Sequence, residues 1–128
     1  MAKIATRIST RIIESEIDIR TGVRALRRKC PTMRHVHDTA GDPPLRRRPG
    51  GFEGLARIIV GQQLSIASAA AIWQRTAAAC QPFEPAMLLR LPDAALAAAG
   101  LSKPKIRTLR AIAMACSDGL DLAALAAA

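Results

Sequence analysis

Residues 50–75 read GGFEGLARIIVGQQLSIASAAAIWQR, and the spacing of apolar residues in this stretch decides the fold class. Phe52, Leu55, Ile59 and Gln62 recur at helical intervals, with Ile58 broadening the face, so a helix is predicted to end near Gly61. Glycine is the residue that relieves left-handed strain at a helix C-terminus. Ser65 reads as the cap of a second helix, whose stripe runs through Ile66, Ala69, Ala70, Trp73, Ala77 and Cys80. Trp73 lies on that inward stripe, which makes it core and not a platform for stacking bases. Between the two helices stand Gln62 and Gln63, held in a tight turn that projects an uncharged amide from a rigid support.

Composition extends this reading to the whole chain. Ala occurs 26 times in 128 residues, 22 of them after residue 50, and aromatic residues make up only 2%. Alanine is the best helix former and packs poorly in strands, so the class is all-α. Upstream, Ser15 caps a predicted helix with Glu16 and Asp18 in its first turn and Ile19, Val23, Leu26 and Cys30 on one stripe; Pro31 ends it. Residues 38–51, DTAGDPPLRRRPGG, read as a loop. Downstream, Pro85 opens a short helix that Pro92 ends, Asp93 caps another that Gly100 closes, and Ser102 caps a long helix through Ile106, Leu109, Ala113 and Cys116. Lys103, Lys105, Arg107 and Arg110 are assigned to the outer face of that helix, and Asp121 to one more cap before LAALAAA. The expected organisation is a flexible start over residues 1–13 and a single helical domain over 14–128.

The charge is strongly basic, 19 Lys and Arg against 10 Asp and Glu, a formal net of +9. Cation–phosphate contact is the partner chemistry such a balance favours. Arg46, Arg47 and Arg48 in the loop fit either a solvated charge run or phosphate contact. Cys30, Cys80 and Cys116 are too few and too far apart for a disulfide framework or a zinc pattern, and suit a reducing compartment. His35 and His37 lack Cys or His partners at ligand spacing, so no metal or other cofactor is expected. The longest charge-free stretch, Ile58 to Gln74, is too short and too polar to cross a membrane, and no membrane partner is expected.

The stretch 50–75, followed by LAAAGLSKPKIRTLRAIA at 96–113, resembles the DNA-3-methyladenine glycosylase II family of the helix-hairpin-helix superfamily. The most specific piece is F-E-x-L-A-R-x-I-V-G-Q-Q-x-S; G-L-S-x-x-K-I-R-x-L is the second. The resemblance runs from Ile12 to Leu125 and implies the front half of a family catalytic domain, an incomplete helix-hairpin-helix glycosylase-type fold. It implies base-excision repair: double-stranded DNA with alkylated bases as partner, the lesion flipped out, and its N-glycosidic bond hydrolysed. Gln63 matches the residue that the family inserts into the minor groove. Gln62 is read equally as part of this wedge or as a closing amide of the turn. The residues expected against DNA are Gln62, Gln63 and Ser65 from the turn, Arg46, Arg47 and Arg48 from the loop, and Lys103 and Lys105.

The resemblance also implies a catalytic aspartate after a hairpin of the type L-P-G-[IV]-G-x-W-T-A. No L-P-G-x-G occurs in the sequence, and Asp93, Asp118 and Asp121 fall at turn or cap positions, so no catalytic residue is assigned. A truncated glycosylase is the expectation, monomeric if its domain were complete, cytoplasmic and beside the bacterial nucleoid. Truncation is expected to leave the stripe through Ile106, Leu109 and Cys116 partly uncovered. The alternative from another class is a non-enzymatic basic helical DNA-binding module, such as a helix-turn-helix regulator. The helix after Ser65 begins Ile66, Ala67, Ser68, Ala69, which offers few base-reading groups.

Overall fold

The computed structural model describes residues 12–127. Residues 1–11 of the expected flexible start lie outside them. Seven α-helices follow in order: α1 (Glu16–Lys29), α2 (Pro31–Ala40), α3 (Gly51–Gly61), α4 (Ile66–Ala79), α5 (Pro85–Arg90), α6 (Asp93–Ala98) and α7 (Lys103–Ser117), with a 3₁₀ turn at Ala124–Ala127. Among the described residues there is no strand, as the all-α reading requires. Contacts group the described residues into two units divided between Arg47 and Arg48. The division falls in the Pro- and Gly-rich loop, whose residues are mostly exposed and have little side chain to pack.

The first unit is a polar helix pair. Ser15 caps α1 as expected, and Asp18 completes a capping box: the Ser15 hydroxyl accepts from Asp18 N at 3.3 Å while the Asp18 carboxylate accepts from Ser15 N at 3.0 Å. The helix α2 is not in the sequence reading, which takes Pro31 only as the end of α1. The same proline also fills the first position of α2, where a missing N–H is harmless. Side-chain clamps join the two helices. Arg34 donates from Nε and Nη2 to the Arg27 carbonyl at 3.3 and 3.1 Å, and Arg27 donates to Asp38 at 2.5 Å. That hydrogen bond holds the Asp38 carboxyl below the usual carboxylate range. His37 is a partnered side chain: Nδ1 accepts from Arg27 at 2.8 Å and Nε2 faces Asp42 at 2.6 Å.

The second unit is built around α7. Ile106, Leu109 and Ala113 of α7 pack with Ala56, Ile59 and Val60 of α3, Trp73 and Cys80 near α4, Leu88 of α5 and Leu96 of α6. Full burial of Leu88, Leu96 and Leu109 stabilises the unit by about 1.5–3 kcal/mol each. The expected exposure of the Ile106 and Leu109 stripe is therefore corrected: α3, α5 and α6 cover it, and only Cys116 is half-buried. Trp73 is core, as expected, its ring 4.9 Å from Phe83, which stacks on Phe52 at 5.5 Å. Ile66 departs from its predicted stripe and is 90% exposed at the first position of α4. Burial pushes the Cys80 thiol up, in keeping with a structural cysteine.

Two glycines are demanded by space and backbone. A Cβ on Gly54 would lie 1.9 Å from the Pro49 carbonyl oxygen, so only glycine lets the loop lie against the first turn of α3. Gly100 closes α6 at φ 109, with Leu101 N reaching back to the Leu96 carbonyl. Asp93 is the first residue of α6 and not its cap, and Ser102 makes no side-chain capping bond to α7. Asp121 does cap: its carboxylate accepts from Ala123 N and Ala124 N.

Candidate functional site

The connection between α3 and α4 is a four-residue β-turn, Gly61-Gln62-Gln63-Leu64, closed by Leu64 N donating to the Gly61 carbonyl at 3.3 Å. Gln62 has φ −58 and ψ 133, and Gln63 has φ 61. These are type II values, which place the third residue in the left-handed region where glycine or asparagine is usual. The strained residue is thus Gln63 and not Gly61, which ends α3 with an ordinary backbone. Gln63 is the only non-glycine residue with positive φ among the described residues.

The turn is exposed and its base is fixed. Gln62, Gln63, Leu64, Ser65 and Ile66 all face solvent, so two amides stand beside two apolar side chains. Below them, Ser65 caps α4 by accepting from Ser68 N at 3.1 Å, and its hydroxyl donates to Ser68 Oγ at 2.9 Å. Ser65 is therefore a structural support of the turn. On the other side, Lys105 Nζ donates to the Val60 carbonyl and the Gln62 carbonyl, each at 2.8 Å. Helix α3 has no basic residue in its last turn, and Lys105 brings a cation to that negative end from α7.

The expected basic face of α7 is corrected by helical geometry. Two residues on from Lys103, Lys105 is rotated by roughly 200° and points the opposite way. Lys105 faces α3, while Lys103 and Arg107 border a concavity of about 420 Å³ beside α6 with Asp93, Ala94, Ala97 and Ile106. Arg110 is not on a free outer face either. Its Nε donates to Asp93 at 2.6 Å, and Nη2 donates to the Leu91 carbonyl at 2.5 Å. Of the loop cations, Arg46 and Arg47 belong to the first unit and Arg48 to the second; all three are exposed, and Arg47 reaches the Glu14 carbonyl at 3.5 Å. The structure thus gathers Gln62, Gln63, Ser65 and Lys105 at one turn and leaves Lys103 on the other side of α7. Sequence reasoning missed Lys105 as a support; the signal for it was an α3 end without a cation of its own.

Among the described residues no three His, Cys, Asp or Glu side chains come together as a metal site, and no helix is long and apolar enough to cross a membrane.

A family model described as HhH-GPD superfamily base excision DNA repair protein matches residues 56–124, which take in the end of α3, the turn, and α4 to α7. A DNA-3-methyladenine glycosidase from Bacillus halodurans is similar in structure, with a TM-score of 0.62 and 33% identity over 78% of this chain and 47% of that one. The chain spans about half the length of that relative. No curated protein matches it. With more than half of its residues inside the family model, and the same helical frame as the glycosidase, the chain belongs to the HhH-GPD superfamily of base excision DNA repair proteins.

Proposed function

We propose that the chain serves base-excision repair of alkylated DNA, and that the Gly61–Leu64 turn is the part that enters the minor groove. Gln63 fills the space left when a damaged nucleotide swings out of the stack. The observation that carries this reading is the left-handed Gln63, an exposed non-glycine residue held in a conformation that costs a free turn about 1–3 kcal/mol. Strain of this kind persists only where the surroundings enforce it, and its effect here is to fix the direction of one side chain.

The chemistry suits the task. An amide both donates and accepts, so it can meet the edge of an orphaned base, and it enters a stack without the desolvation penalty of a charge. Leu64 and Ile66 beside it supply the apolar contact that minor-groove wedges use against base steps. Flipping costs a few kcal/mol of stacking and pairing, which a plug offsets by blocking return of the base. Exposed Lys103, Arg107 and Arg48, all of the same unit as the turn, supply phosphate contact that positions the duplex without reading sequence. The reading brings with it a cytoplasmic location beside the nucleoid, and 3-methyladenine-type bases as the lesion class. It assigns no catalytic aspartate among the described residues: Asp93 is paired with Arg110 and Asp121 is spent in a cap.

The test compares binding of the chain to two duplexes that differ only in one abasic position. The expected result is affinity about tenfold higher for the abasic duplex, since no base has to be unstacked before the amide enters. Equal affinity for the two would overturn the reading.

A further inference from the structure

A type II and a type I turn differ by a flip of the peptide between the two central residues. In the Gly61–Leu64 turn that peptide carries the Gln62 carbonyl, and the flip takes ψ of Gln62 and φ of Gln63 each through roughly 150°. Type I accommodates glutamine at the third position without strain, so an unrestrained Gln-Gln turn relaxes to it. What opposes relaxation is the Lys105 ammonium, 2.8 Å from the Gln62 oxygen and 2.8 Å from the Val60 oxygen. A flip would carry the Gln62 oxygen away from Nζ and break a charge-assisted hydrogen bond. The Val60 bond keeps the ammonium anchored to the end of α3 while it holds the turn, and Lys105 is half-buried.

We infer that Lys105 is a positioning residue that locks the turn in its type II form and thereby aims Gln63, and that it does not contact phosphate. This rests on the reading of the turn as the inserting element. It also explains why a lysine on α7 belongs with a motif some 43 residues upstream. Two of its three donors are engaged within the protein, which sets it apart from Lys103 and Arg107.

Two measurements on the same chain test it, with Lys105→Met and Lys105→Arg. In free protein, the nuclear Overhauser contact between Gln62 Hα and the Gln63 amide proton reports type II, and that between the two amide protons reports type I. Lys105→Met is expected to exchange the first contact for the second, and Lys105→Arg to retain the first. In DNA binding, Lys105→Met is expected to lose the abasic preference, by about tenfold, to have no further effect in a Gln63→Ala background, and to leave the salt dependence unchanged. A phosphate contact would instead lower the slope of log K against log salt by about 0.9 and add to the loss from Gln63→Ala. That outcome overturns the inference. So does a type II turn that survives Lys105→Met, or an abasic preference kept by Lys105→Met and lost by Gln63→Ala. A preference untouched by Gln63→Ala overturns the reading of the turn itself, and the inference with it.

Discussion

At the residue scale, strain and task separate at Gln63. Its left-handed backbone costs a residue with a side chain about 1–3 kcal/mol relative to ordinary regions, and glycine escapes that penalty. Gln63→Gly should therefore leave stability unchanged or raise it by up to about 1 kcal/mol, part of the gain being offset by the greater freedom of glycine in the unfolded chain. Urea denaturation measures this. The same variant should bind abasic and intact duplexes alike, because the amide is gone. A clear fall in stability would contradict the strained state of the turn. The sequence made the turn and its exposed amide legible, since Gly61 and Ser65 bracket two glutamines. It misassigned the strain to Gly61, because the local pattern does not include a lysine contributed by another helix.

At the element scale, basic side chains from other helices meet the carbonyls at three helix ends. Lys105 serves α3, Arg75 donates to the Ala99 carbonyl after α6, and Arg110 reaches Leu91 after α5 while pairing with Asp93 of α6. These carbonyls carry the partial negative charge of helix ends, and a cation suits them. Arg110→Met should keep the apolar stem and lose these bonds, destabilising the chain by about 1–3 kcal/mol in urea. No change would show that α5 and α6 are held by Leu88 and Leu96 alone. Helices α1 and α3 to α7 were legible because periodicity and punctuation agree at each. Helix α2 was not: Pro31 reads as a stop, the apolar residues that follow are few, none of the helix's residues is buried, and polar clamps through Arg27, Arg34, His37 and Asp38 join it to α1. The face of α7 was misread because charges two positions apart were grouped together, although they lie on opposite sides of a helix.

At the scale of the whole molecule, the formal charge of +9 overstates what is free to meet a polyanion. Arg27, Arg75, Lys105 and Arg110 are engaged in the protein, while Lys103, Arg107, Arg46 and Arg48 stand exposed. Burial likewise corrects the expectation of an open core. The α7 stripe is covered, and the exposed large apolar groups of the second unit include Ile58, Leu64, Ile66, Met114, Leu120 and Leu125, of which Leu64 and Ile66 flank the turn. Composition could fix the helical class but not which stripe meets which, because that depends on contacts between distant segments. The central claim is that Gln63 enters a duplex where a base has been vacated. The most direct measurement places 2-aminopurine opposite an abasic position and follows its fluorescence as the chain is added to saturation. Insertion of the amide beside the reporter predicts a rise with the natural sequence and none with Gln63→Ala. Identical fluorescence for the two, with both fully bound, would contradict the account.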